Sequence, residues 1–401
     1  MQVSLAFQDE QLALELSGDN LVGSWMGPPG FGAEAAEAAL RDVLEQPFEF
    51  PPVRQMVVPG DRVAIALDRS LCGVQPVLHV LGEILRESGV EAGDVSVVTS
   101  EDSRVSLDGE LPPGMALVEH DPGDRSRMAY LSTTKDGRRI YLNRSITDAD
   151  VVIPVGRLGY DPVLGYRGPW SVLFPGLSDQ DTKAAYRHRL QSDPPGRATP
   201  AVRLDETFEV SWLLGTQFHL GLVPGSLGLA GVLAGLAEPV RDQGIRRVDQ
   251  LWNYQAPARA ECVVVGIGAP GTETGIGELV DGLVTASRLV NHGGKIVAVS
   301  RARGSIGPSL QRLRAVGDAR EAVSALRGHE ADLDSIDGRR LAQVLDWADV
   351  YLQSRLDRQV VEDMFMVPLD DVDDVRRIVS RAGSCLVVSR ADLTRATIRE
   401  G

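Results

Sequence analysis

From Asp61 to Thr99 the chain spells out a strand, a helix and a second strand, and this unit restricts the possible folds more than any other feature. Asp61-Arg62-Val63-Ala64-Ile65-Ala66-Leu67 is a short apolar run that ends at Asp68. After a turn containing Gly73 and Pro76, residues Val77, Leu78, Leu81, Ile84 and Leu85 recur at the spacing of an amphipathic helix. Gly89 closes that helix, and Val95-Ser96-Val97-Val98-Thr99 reads as the next strand. A strand–helix–strand crossover of this length joins parallel strands with one hand of connection. Val151-Val152-Ile153-Pro154-Val155 adds a further strand and runs into a loop that begins at Gly156. Upstream, Ala35, Ala39, Leu40, Val43 and Leu44 mark another helix, and residues 3–25 read as an early strand or hairpin.

A second series follows a loop-like stretch at 253–260. It comprises the strand Cys262-Val263-Val264-Val265, a helix around 276–291, the strand Lys295–Val299, and a helix around 309–327. Ala348–Leu352 and Cys385–Val388 read as later strands, and the acidic run Asp370–Asp374 reads as the start of a helix, where carboxylates meet the positive end of the macrodipole. The expectation is an α/β protein of two domains, 1–255 and 256–401, each with a mainly parallel sheet, and a ligand cleft between them. A length of 401 residues suits two such domains.

Charge and cysteine usage narrow the function. Lys+Arg 41 against Asp+Glu 56 leaves a net −15, which argues against nucleic acid or an anionic membrane as the main partner. Only three lysines occur, Lys135, Lys183 and Lys295, so arginine carries nearly all the positive charge. Cys72, Cys262 and Cys385 lie far apart and form neither a disulfide framework nor a zinc motif, in keeping with a reducing cytoplasm. No signal peptide is visible in Met1–Glu10, and no apolar stretch is long enough to span a bilayer.

In open parallel sheets, ligands gather beyond the carboxyl ends of strands. Asp68 closes one strand, although a turn cap would explain it equally well. The stretch 156–176 is dense in glycine and aromatics (Tyr160, Tyr166, Trp170, Phe174) and carries Asp161, Arg167 and Ser171. Such a loop either lets backbone approach a ligand closely or packs on its own rings. Gly266-Ile267-Gly268-Ala269-Pro270-Gly271 matches G-x-G-x-x-G after a strand, but the next strand ends Ser300-Arg301-Ala302-Arg303, with no acid for a ribose. A tight loop is the better reading. The six histidines, at 79, 120, 188, 219, 292 and 329, show no metal-binding spacing. His188 stands out because it follows the long loop.

Taken in order, these segments resemble the nickel-dependent lactate racemases. The resemblance runs through Pro59-Gly60-Asp61-Arg62-Val63-Ala64-Ile65 with Asp68, and through Ala149-Asp150-Val151-Val152-Ile153. It continues in the Gly165–Gly176 loop, in Gly231-Val232-Leu233-Ala234-Gly235, and in Gly293-Gly294-Lys295-Ile296-Val297. It implies two α/β domains around a nickel-pincer nucleotide held covalently by a lysine. It also implies a nickel-ligating histidine, and two histidines as acid and base while hydride moves to and from a 2-hydroxy acid.

The residues at the matching positions differ. The family's Thr-Arg-Pro falls on Ser70-Leu71-Cys72, and its Thr-Gly-Phe-His falls on Ser100-Glu101-Asp102-Ser103. Asp161 takes a histidine position and Ser171 the cofactor lysine, while the nickel-ligand histidine matches His188 with one residue inserted. The glutamine and lysine that hold the cofactor phosphate fall on Glu278 and Asp281.

Two readings follow. In the favoured one, nickel-pincer chemistry is lost and the cleft binds a small anionic or polyol ligand, or a partner, through Asp68, Tyr160, Arg167, Trp170 and Ser171. In the other, the protein is an isomerase that racemises or epimerises 2-hydroxy acids, with Asp102, Asp161 and His188 in rearranged catalytic roles and Arg167 clamping a substrate carboxylate. A metal in the second reading would use His188 with Asp68, Asp102 and Asp161, an oxygen-rich set suited to Mg²⁺ or Mn²⁺.

Overall fold

Strand β4 shows how the sequence builds the first unit. Val63, Ile65 and Leu67 alternate with Ala64 and Ala66, and all five are buried, so the strand has protein on both faces. The larger side chains face one core, with Leu78, Leu81 and Leu85 of the crossover helix. The two alanines face another, with Val172, Leu173 and Leu177. The structure is a computed structural model that describes every residue except 1, 8–9, 16–17, 69–70, 72–73, 100–110, 136, 163, 193–199, 270–273, 330–331, 333 and 400–401.

Along the chain, a hairpin of β1 (Gln2–Phe7) and β2 (Glu10–Glu15) precedes β3 (Leu21–Trp25) and helix α1 (Ala33–Glu45). Next come β4 (Val63–Leu67), α2 (Val74–Glu87), β5 (Val95–Thr99) and β6 (Ala116–Glu119). A hairpin of β7 (Met128–Thr133) and β8 (Arg139–Asn143) leads through the short α3 (Arg144–Thr147) into β9 (Val151–Arg157). The loop that follows contains a small hairpin, β10 (Gly159–Asp161) and β11 (Gly165–Arg167), and a single turn α4 (Pro169–Ser171). Helices α5 (Gln180–Ser192) and α6 (Pro200–Leu213), strands β12 (Phe218–Pro224) and β13 (Leu229–Leu236), and α7 (Ala237–Trp252) complete this part.

The chain divides into two compact units, Pro29–Asp249 in one and Met1–Pro28 with Gln250–Gly401 in the other. The central unit has a six-stranded sheet in the order β13-β12-β9-β4-β5-β6, parallel throughout except for the β12–β13 pair. The expected extent of the first domain, 1–255, differs from this division at its start. β3 pairs in parallel with a strand near the carboxyl end of the chain, so the first 28 residues belong with the other unit.

That other unit holds β14 (Asn253–Ala256), β15 (Ala260–Ile267), α8 (Ile276–Leu289) and β16 (Val290–Ser300). The segment expected as one helix over 309–327 forms two, α9 (Pro308–Arg314) and α10 (Ala319–Ala325). Then follow α11 (Ser335–Trp347), β17 (Asp349–Gln353), α12 (Arg358–Asp363), β18 (Val367–Pro368), α13 (Val372–Val379), β19 (Cys385–Val388) and β20 (Arg395–Ile398). Its sheet runs β18-β17-β16-β15-β19-β3, all parallel. The acidic run does begin a helix: Asp371 caps α13 by accepting the N–H groups of Asp373 and Asp374. Among the described residues no helix is long and apolar enough to cross a membrane.

One contact positions the long loop. A Cβ on Gly156, near the end of β9, would lie 2.5 Å from the Cα of Pro169, so only glycine lets α4 sit directly on the strand. Gly156→Ala must displace backbone rather than a side-chain tip, and should cost about 1–3 kcal/mol in chemical denaturation. Gly93→Ala, with open space around its Cβ, is the matched control and should stay within about 0.5 kcal/mol of wild type. Equal midpoints for the two variants would refute the close approach.

Candidate functional site

The strand order of the central sheet reverses at β4: β5 and β6 add on one side of it, β9 on the other. Crossovers diverge at such a point and leave a crevice beyond the carboxyl ends of the two strands. Asp68 follows β4 directly and is held to its neighbour by its backbone N–H, which donates to Val155 O at 2.9 Å. Its carboxylate is 9% exposed and spans the crevice. Oδ2 accepts from the Arg157 N–H at 3.3 Å and from Arg167 Nη2 at 2.9 Å. Arg167, with its side chain 28% exposed, therefore projects over the switch point while tied to a nearly buried carboxylate.

The base of the loop is fixed by packing. Leu158 lies in a slot where Gly221 and Gly244 have no side chains; a Cβ on either would fall within 2.8 Å of its methyl groups. Beyond it, Tyr160 and Tyr166 face each other across the β10–β11 hairpin with ring centroids 5.6 Å apart. Both hydroxyls donate to Asp249 of α7, Tyr160 at 2.9 Å and Tyr166 at 2.9 and 2.8 Å. Oδ1 of Asp161 accepts the Leu164 N–H at 2.7 Å and closes the hairpin turn, where Gly165 takes φ +82°.

Of the residues singled out from sequence, Asp68 and Arg167 meet directly. Tyr160 and Asp161 shape the hairpin that carries Arg167. Trp170 is fully buried with its ring 5.2 Å from Phe208, so it fills the core under α4 instead of lining an open surface. Ser171 ends α4, and neither its Oγ nor Trp170 Nε1 has a hydrogen-bond partner among the described residues. Buried polar atoms without partners are uncommon and mark sites with unmet bonding capacity. His188 falls within α5, with its side chain outside the described residues; Asp102 and Cys72 lie outside them altogether. Among the described residues no three His, Cys, Asp or Glu side chains are grouped as a metal site.

A polar group that sequence reading passed over stands at the same edge. His120 follows β6, is 1% exposed, and donates its backbone N–H to Thr99 O of β5 at 2.8 Å. Its ring spans Ser178 O at 2.9 Å from Nε2 and Asn143 Nδ2 at 3.2 Å from Nδ1. That network assigns the neutral tautomer, with Nε2–H donating to Ser178 O and Nδ1 accepting. Burial, and then the nearby charge of Lys183, push its pKa down to about 4. Lys183 itself is 5% exposed, in the first turn of α5. Nothing local in the sequence announces this cluster, because Thr99, Asn143 and Ser178 come from separate segments.

In the other unit, Gly268 takes φ +94° and donates its N–H to Asp392 Oδ1 at 3.1 Å. Helix α8 opens only at Ile276, where Gly275 N–H donates to Glu278 Oε2 at 2.7 Å. Helix α8 thus begins five residues after the third glycine of the pattern at 266–271. Asp281 accepts from Arg340 Nη1 at 2.6 Å.

Residues 7–198 match the lactate racemase N-terminal domain family. That stretch of the chain is similar to the N-terminal domain of lactate racemases. The fold of the whole chain is similar to that of the lactate racemase apoprotein from Thermoanaerobacterium thermosaccharolyticum, with a TM-score of 0.77 and 18% identity over 100% of both chains. It also resembles a structural-genomics protein from Thermotoga maritima, at a TM-score of 0.68 and 12% identity over 93% of this chain and 100% of that one. No curated protein matches the sequence. The α/β fold and the lactate racemase-like resemblance expected from the sequence therefore hold.

The buried histidines make the fold acid-sensitive. His219, fully buried in β12, is also pushed down to about 4 by burial. With folded pKa values near 4 and an unfolded value of 6.5, both rings favour the neutral state. Their contribution is complete above pH 6.5 and drains away as pH falls toward 4, because the unfolded chain takes up protons first. Each is worth up to about 3 kcal/mol over that interval. Denaturation free energies across pH 7.5–4.5 should show the decline, and His219→Leu should flatten its share of the slope.

Proposed function

We propose that this is a divergent lactate racemase-like protein that has given up nickel-pincer chemistry and binds a small anionic or polyol ligand at the carboxyl edge of its central sheet. The observation that carries the reading is Arg167, held by Asp68 over the switch point and partly open to solvent. A guanidinium so anchored lies in a fixed plane, the geometry that recognises a carboxylate or a pair of hydroxyls. Ser171 Oγ, sheltered and without a partner among the described residues, offers a further polar contact on the same loop.

The residues present do not fit a lysine-tethered cofactor. Ser171 stands at the lysine position of the resemblance, and a hydroxyl cannot form a lysine-derived thioamide. Glu278, at a phosphate-binding position, uses a carboxylate oxygen to cap α8, and Asp281 is paired with Arg340. Neither offers a phosphate the amide or ammonium it would need. Isomerase chemistry with rearranged carboxylates draws less support, since one oxygen of Asp161 is engaged in its turn.

After co-expression with pincer-synthesising enzymes, intact mass should equal that of the unmodified chain and nickel should be sub-stoichiometric. A covalent adduct with one nickel per chain would overturn the loss of cofactor. Thermal shift and calorimetry against 2-hydroxy acids and polyols should identify a binder whose affinity falls at least tenfold in Arg167→Gln. Racemisation or solvent-deuterium exchange on any 2-hydroxy acid, abolished by Asp161→Asn, would favour the isomerase instead.

A further inference from the structure

In the unit formed by Met1–Pro28 and Gln250–Gly401, α8 and α11 pack together, and a cavity of about 240 Å³ opens beside them. Three guanidiniums line it, those of Arg259, Arg288 and Arg340, together with Ser287, Gln343 and the indole of Trp347. No carboxylate is among the lining residues. In a chain of net charge −15 such a local excess of arginine is unusual, and it belongs to a different unit from the Asp68–Arg167 crevice.

Two of the three arginines are fixed by other bonds. Arg259 Nη1 donates to Ser287 O at 3.3 Å and Val290 O at 2.8 Å, capping the end of α8, and its guanidinium lies 5.3 Å from the Trp347 ring centre. Arg340, with its side chain 18% exposed, is anchored by Asp281 at 2.6 Å, with Asp337 at 3.8 Å. Arg288 differs. Among the described residues it has no hydrogen-bonded or ion-paired partner. Partial burial, and then the charges of Arg340 and Arg395, hold it below the ordinary arginine value, while Asp281 opposes that shift. Like charges crowded in this way gain from an anion placed among them.

A larger cavity, about 460 Å³, opens at the amino edge of the central sheet and also contains arginines, Arg62, Arg127 and Arg144. There Asp94 and Asp148 share the lining, and Arg62 is already paired with Asp150. Carboxylates thus line that cavity, and none lines the one at Arg288.

We infer that the Arg259–Arg288–Arg340 cavity binds a small dianionic oxyanion group, a phosphate or a dicarboxylate, with Arg288 as the principal ligand contact and the anchored Arg340 as the second. A volume of about 240 Å³ lies below the ~300 Å³ at which pockets begin to accept drug-sized ligands, so the occupant is compact. Arginine suits the role because its planar fork meets two oxygens at once.

The test compares wild type with Arg288→Gln by thermal shift and calorimetry, at constant ionic strength set with potassium chloride. Inorganic phosphate and succinate are the two probes. Saturable stabilisation by either one, weakened at least tenfold in Arg288→Gln and retained in Arg167→Gln, supports the inference, and the effective probe identifies the anion class. Three results overturn it: no stabilisation beyond chloride by either probe, unchanged affinity in Arg288→Gln, or loss of the response in Arg167→Gln. Arg288 lies in the last turn of α8, and glutamine keeps helix propensity there, so its substitution should leave the fold intact.

Discussion

The carboxylate of Asp68 is the interaction on which the candidate site depends. It sits where two strand crossovers diverge, bonded on one side to the backbone of β9 and on the other to Arg167. A nearly buried carboxylate is costly to desolvate unless its oxygens are satisfied, and here a main-chain N–H and a guanidinium do so. The loop is therefore constrained from below by Gly156 and Leu158, from the side by the Tyr160–Tyr166–Asp249 bonds, and at its tip by Asp68. These restraints share one purpose, holding Arg167 in place without burying it.

Much of the architecture was legible because buried parallel strands are continuous apolar runs, and β4, β5, β9, β15, β16, β17 and β19 all read that way. β6 and β7 escaped notice because their side chains are largely half-buried or exposed and carry no clear alternation. The division of the chain was misread for a different reason. Leu21–Trp25 pairs with Cys385–Val388, and hydrophobic pattern carries no record of which distant strand completes a sheet. The single helix expected over 309–327 breaks at Val316-Gly317, a point where local polarity gave too little warning.

The site divides along the same line. Asp68 was visible as an acid closing a strand, and Arg167 as a cation in a glycine-rich loop; their 2.9 Å pair is the consequence of the fold. Trp170 and Tyr160 looked like contact residues because aromatics in a loop look alike from sequence, yet one fills a core and the other bonds Asp249. His120 and Asp249 were passed over, since each acquires meaning only from partners far away in the chain. The likeness of residues 7–198 to the lactate racemase N-terminal domain, and of the whole fold to a lactate racemase apoprotein, accounts for the scaffold.

The discontinuity of the unit that joins Met1–Pro28 to Gln250–Gly401 has a consequence for biogenesis. Strand β3 emerges from the ribosome early but cannot dock until β19 has been made, whereas Pro29–Asp249 holds every strand of its own sheet. The interior segment is thus able to acquire native order during translation, while the leading strand remains an unmatched edge for most of synthesis. An exposed edge of this kind invites association with other nascent chains, a hazard that grows with the delay.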